Sequence, residues 1–238
     1  MSKPAAPPLF ARRRDARGRL RSGPPIQDRR TWRLLVSPAG APAFVLLALC
    51  GLVLAAQAGH GGPAPWGVSG QALAEGRWLT LAAHMVTHAN LVHLLMNAGV
   101  LLPLTALAMV RLGVGPAGWG RFAALYVGSA LAGAALYLAL SPGGLPLVGA
   151  SGAIFGLWGA VARIGADGGM VPLWSRRIRD EGLVVAWINL GMVLIVLAIN
   201  RMEGGGPTVG WEAHLGGFLF GLLAMPWLAP RTPPPAHP

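Results

Sequence analysis

Residues 149–166 read GASGAIFGLWGAVARIGA, in which roughly 150–166 form an apolar run that is more than half Gly and Ala and carries one hydroxyl, Ser151. A helix that crosses a bilayer against lipid needs about 20 apolar residues. This run is shorter, and its small residues suit a helix packed closely by other membrane helices. Working outward from it, five longer apolar stretches appear, at roughly 41–58, 91–111, 120–140, 182–200 and 211–229. The composition agrees. Of the 238 residues, 54% are hydrophobic and 11% charged, against about 25% charged in soluble domains, and the mean hydropathy is +0.55. The expected fold is an all-α polytopic membrane protein of six transmembrane helices, with a short central helix carrying the serine. The lone cysteine, Cys50, excludes a disulfide framework and a Cys-based zinc cluster.

The formal charge of +11 is unevenly placed. Residues 1–33 hold ten of the 19 Lys+Arg, opposed only by Asp15 and Asp28 and interleaved with proline. Residues 1–40 are therefore expected to form a disordered basic arm. Polybasic segments beside a membrane span attract anionic lipid headgroups, and that partner is expected in place of nucleic acid. Residues 41–229 form the membrane domain and 230–238 a Pro-rich tail. With the N-terminus inside, only Arg77 and Arg201 fall in outer segments, as the positive-inside rule requires. Trp66, Trp78 and Trp211 then lie near outer ends and Trp119, Trp174 and Trp227 near inner ends. Arg29-Arg30 resembles a twin-arginine export signal, but the chain needs its first apolar stretch as a span. The Arg-dominated basic set suggests a GC-rich bacterial genome, hence a multi-pass protein of a bacterial inner membrane with both termini cytoplasmic. The outer segment 59–90 is the longest loop and is expected to fold back on the membrane surface.

Polar groups at membrane depth are costly and so point to function. Three clusters qualify. His84, His88, His93 and Asn97 lie at the outer end of the second span, with His93 and Asn97 four apart on one face. They suit hydrogen bonding within a site, although histidines tied to backbone at an interface are the plainer alternative. His84 and His88 share a zinc-ligand spacing, but the segment has no carboxylate and no HExxH glutamate. Gly149-Ala150-Ser151-Gly152 opens the fourth stretch, leaving the serine hydroxyl unobstructed beside free first-turn N–H groups. Such a serine also suits a simple N-cap. Phe155 lies one turn below it. His214 sits near the outer end of the sixth stretch. Gly217 and Gly221 follow it, and Gly152 and Gly156 follow Ser151. Both pairs are small-xxx-small faces that let helices approach. Packing through those faces would set His214 beside Ser151, a nucleophile with its base. Asn97 and His93 are then candidate oxyanion donors.

His88, His93 and Asn97 in the second span, GASG in the fourth and AHLGGFLFG in the sixth, in that order, resemble the rhomboid intramembrane serine proteases. The resemblance covers about residues 41–229. It implies a rhomboid-like bundle and a Ser151–His214 dyad without a carboxylate or cofactor, reached by water from the outer face and acting on transmembrane protein substrates. It implies that Asn97 and His93 assist the Ser151 N–H at the oxyanion, that His88 orders hydrogen bonds around the cavity, and that Phe155 supports the imidazole. Many members carry Trp-Arg in the first outer loop, whereas this chain has Gly76-Arg77-Trp78. An inactive membrane adaptor on the same fold, or a metal-dependent membrane enzyme using His84 and His88, are the alternatives. Glu212 is expected to face away from His214, at a rim screened by water.

Overall fold

The computed structural model describes residues 33–165, 168–203 and 208–231. Most of the basic arm and all but two residues of the Pro-rich tail lie outside them. The described chain is all-helical: α1 (Ala41–Ala58), two short helices α2 (Gly70–Ala74) and α3 (Thr80–Ala83), then α4 (Leu91–Leu112), α5 (Pro116–Leu140), α6 (Ser151–Ala162), α7 (Arg176–Glu203) and α8 (Trp211–Leu228). Isolated backbone bridges pair Val68 with Leu147 and Ile164 with Met170.

Local chemistry sets the helix limits. The Asn90 side chain accepts from the His93 N–H at 2.9 Å and starts α4. Gly113, with φ +96°, stops it. Pro116 at the first turn starts α5 earlier than its apolar run suggests. Helix α7 begins at Arg176, six residues before the apolar stretch, because Arg176–Glu181 form an extra helical turn that hydropathy does not register. By length and composition α1, α4, α5 and residues Arg176–Met202 of α7 suffice to cross a membrane. Apart from the short α2 and α3, helices α6 and α8 depart from that standard for reasons tied to the site. Helix α6 has only 12 residues, and α8 carries Glu212 and His214 among its apolar residues.

Helix α6 is the centre of the molecule. Every residue after Ser151 is buried, and α4, α5 and α8 surround it. Its contact with α8 is backbone to backbone. A Cβ on Gly217 would fall on the Gly152 carbonyl, one on Gly221 on the Gly156 carbonyl, and one on Gly159 on the Phe218 carbonyl. Gly156 likewise leaves room for Ser129 of α5. Large apolar side chains face outward instead, among them Leu52 of α1, Leu95 of α4, Leu194 and Ile195 of α7 and Leu223 of α8. That pattern is the surface of a multi-pass membrane protein, whose apolar exterior meets lipid. Helix α7 is the most peripheral, with 6% of its apolar window buried.

Residues 59–90 fold against one end of the bundle. Val68 and Leu147 exchange backbone hydrogen bonds of 3.0 and 2.8 Å, the Tyr126 hydroxyl donates to the Met85 carbonyl at 2.8 Å, and Gln57 at the end of α1 donates to the His88 carbonyl. At the opposite end the segment after α6 is held by arginines. Arg111 Nε donates to the Gly168 carbonyl at 2.8 Å, Arg163 donates to the Val171 carbonyl, and Arg177 Nη1 donates to the Ile164 carbonyl at 2.7 Å.

Candidate active site

Ser151 opens α6 at the end of the bundle covered by residues 59–90. The approach to it requires a glycine. Gly149 has φ +126°, a conformation in which an L side chain is strained, and a Cβ there would lie 2.9 Å from His93 Cε1. Its N–H donates to the His84 carbonyl at 2.8 Å. That bond fastens the residues before the serine to the loop after α3. Ala150 is the N-cap and supplies no side-chain cap. First-turn N–H groups beside Ser151 therefore have no intrahelical acceptor.

His214 lies one turn into α8. The glycine contacts bring the two helices close enough that Ser151 Oγ and His214 Nε2 are 2.8 Å apart. Phe155, one turn below Ser151, stacks on the imidazole with ring centroids 4.3 Å apart and planes 15° apart. Trp158 in turn stacks on Phe155, with ring centroids 6.0 Å apart. His214 is 5% exposed. The second ring nitrogen, Nδ1, is 2.7 Å from Oδ1 of Asn189 on α7.

The cluster around α4 is arranged as follows. The His93 ring sits against Gly149 and meets the His88 ring edge-on, centroids 5.2 Å apart. Asn97 is buried and its Nδ2 donates to the His93 carbonyl at 3.1 Å, within its own helix, and not to Ser151. His84 and His88 place Nδ1 against the carbonyls of Thr80 and Val86, at 3.2 and 3.3 Å. Burial holds both imidazoles below their ordinary range, His88 at about 4 with help from neighbouring His93, so both are neutral at physiological pH. Among the described residues no three His, Cys, Asp or Glu side chains converge as a metal-binding group.

Two positions differ from expectation. Glu212 does point away from His214, but not into water. It is 6% exposed and its Oε1 accepts from Ser141 Oγ at 2.7 Å. The loop 141–149 covers it, and the Tyr137 hydroxyl holds that loop at the Leu145 carbonyl, 2.7 Å away. Asn189 is absent from the sequence-based candidates. The rule that singles out polar side chains at membrane depth applies to it, since INLG interrupts the apolar run of α7. No motif adjoins it to direct attention there. Arg77 stays local, donating to Glu75 at 2.9 Å and to the Pro65 carbonyl at 3.3 Å, and Trp78 is exposed.

A sequence model of the Rhomboid domain matches residues 75–231. The chain belongs to the rhomboid family. The match takes in α3 to α8, and hence every residue of the site above, while α1 precedes it. Among rhomboid proteins, the "Rhomboid protease GluP" of Bacillus subtilis (strain 168) is 30% identical over 153 residues. That alignment covers 64% of this chain and 26% of the relative, so the matched part corresponds to about a quarter of that longer rhomboid protein.

Proposed function

We propose that the protein is an intramembrane serine endopeptidase that cleaves transmembrane segments of other membrane proteins, with Ser151 as nucleophile and His214 as general base. The observation that carries this reading is the 2.8 Å contact of Ser151 Oγ with His214 Nε2 at the head of a buried helix. Hydroxyl and imidazole at that separation are within proton-transfer reach. His214 takes the Oγ proton as Oγ bonds to the scissile carbonyl carbon. The same proton then goes to the leaving amine, and water attacks the acyl-enzyme by the reverse sequence. The oxyanion forms beside the first-turn N–H groups of α6, with Asn97 and His93 next to them on α4. Gly149 admits the substrate backbone because it presents no side chain there.

Peptide hydrolysis in a membrane requires water, so the polar cluster faces the end of the bundle where residues 59–90 lie. A substrate helix hides its carbonyls in its own hydrogen bonds and has to unwind locally, which favours sites with small or helix-breaking residues. The arginine distribution supports an inner-membrane orientation with cytoplasmic termini, and the ten bases of residues 1–33 support contact with anionic headgroups.

A fluorophosphonate probe and a test transmembrane substrate distinguish this from an inactive adaptor on the same fold. The native chain labels and cleaves. Ser151→Ala does neither, and His214→Ala loses cleavage. Cleavage by a folded Ser151→Ala protein overturns the assignment.

A further inference from the structure

We infer that Asn189, on the peripheral helix α7, is a positioning residue that fixes the His214 imidazole in the tautomer able to act as a base; the inference rests on the protease reading above.

The hydrogen-bond chain determines its own direction. Asn189 Nδ2 lies 2.8 Å from the Val185 carbonyl. A carbonyl only accepts, so the amide nitrogen must be the group placed there and the amide oxygen the group turned to His214. The amide orientation is thereby assigned from chemistry and not from the similar appearance of O and N. An amide oxygen also only accepts, and it lies 2.7 Å from Nδ1. Nδ1 therefore carries the proton. In the neutral ring Nε2 is then bare, and its lone pair faces Ser151 Oγ at 2.8 Å. The opposite tautomer would set an N–H against the serine, leave Nδ1 lone pair against Oδ1 lone pair, and give no base. Val185, Asn189, His214 and Ser151 thus form one directed relay across α7, α8 and α6.

Among the described residues no other group does this. Phe155 stacks on the ring face and constrains its plane but not its protonation. Glu212, the nearest carboxylate in sequence, is bonded to Ser141. The surroundings of Asn189 also mark it. Ala186, Trp187, Ile188 and Leu190 are exposed on the outer surface of α7, while Val185 and Asn189, one turn apart, face the bundle. The titratable and charged groups around His214 are His93 from α4, Ser151 from α6 and Glu212 from α8 itself. From α7 the described group that meets the ring is the neutral Asn189. The third group of the site is uncharged, so it orients the ring without pairing a buried ion.

The test uses the full chain in detergent or nanodiscs, with ¹⁵N-labelled histidine and a transmembrane substrate. In the native protein His214 is expected as the Nδ1–H tautomer. Asn189→Leu should give a mixture of tautomers. Its kcat should fall about 10- to 100-fold with KM within about twofold, less than the roughly 10⁴-fold loss when the orienting acid of a soluble triad is replaced. Asn189→Asp keeps an acceptor at Oδ1. It should regain at least about tenfold over the leucine variant and move the acid limb of the pH profile upward, because a carboxylate favours the imidazolium. A native Nε2–H tautomer, or a folded Asn189→Leu protein with native kcat, overturns the inference. If the native chain holds the Nδ1–H tautomer yet neither labels with fluorophosphonate nor cleaves, the protease reading fails while the positioning of the ring by Asn189 stands.

Discussion

Glu212 sits two positions from the proposed base, yet the hydrogen bond it makes runs to another element of the fold. Side chains two apart on a helix diverge by about 200°, and Oε1 of the carboxylate accepts from the Ser141 hydroxyl. Its place in the first turn of α8 suits an anion. Glu212→Gln keeps an oxygen acceptor for Ser141, so cleavage should stay within a few fold of native. Glu212→Leu strands the hydroxyl and should lower the unfolding midpoint, by about 1–3 kcal/mol of stability. A loss near 10⁴-fold in Glu212→Gln, the cost of removing a triad acid, would show it to be a catalytic residue instead. Asn97 is the opposite case. Its amide already has a bond to the His93 carbonyl, but an NH₂ group carries two hydrogens, and the second is available to an oxyanion. Asn97→Ala should reduce kcat by about 10²–10³ if that donor is used in the transition state, and an unchanged kcat removes it from the site.

Between elements, the decisive contact is the α6–α8 crossing, where glycines let backbone touch backbone. Gly217→Ala and Gly221→Ala each drive a Cβ into a carbonyl that no rotamer change can move aside. Overpacking costs typically 1–3 kcal/mol and more when backbone must shift, so both should lose stability and activity together. Gly191→Ala on α7 has open space around the new methyl and should be neutral or slightly stabilising by helix propensity. Unfolding midpoints in detergent separate the two classes; equal effects at Gly217 and Gly191 would dissociate the crossing from the glycines. This contact was legible in the sequence because Gly152, Gly156, Gly217 and Gly221 state it in their spacing. The spans were legible because apolar runs are long, and their ends less so, since Pro116 and the charged turn at Arg176–Glu181 extend helices beyond the apolar stretch. Asn189 was not legible. Which way α7 turns is decided by a few contacts, Val185 and Trp158 to Glu181 among them, and no periodic pattern in its apolar residues encodes that rotation. The burial of Glu212 was missed for a similar reason: the side chain points where expected, and only the fold of residues 141–149 determines that a loop waits there and not water.

For the whole molecule, charge and connectivity together predict on which side of the membrane the site opens. The backbone pairing of Val68 with Leu147 and the Gly149–His84 bond put residues 59–90 and Ser151 at one end. The arginines that hold the segment after α6 lie at the other. Each positive charge moved outward against an inside-negative potential costs about 2.3 kcal/mol per 100 mV, and the ten bases of residues 1–33 would all bear that cost in an inverted chain. Ala64 should therefore be external and Asp180 cytoplasmic. The chain offers a clean way to measure this, because its one cysteine, Cys50, is fully buried in α1 and should not react with a membrane-impermeant maleimide in intact cells. Against that silent background, Ala64→Cys, at an exposed loop position, should label from outside. Asp180→Cys, also at an exposed position but at the far end, should label only after permeabilisation. Cleavage by both variants would show that the labelled protein is the folded one. The reverse pattern would place Ser151 next to the cytoplasm. The site would then draw its water from inside the cell, and the arginine asymmetry could not be what orients the bundle.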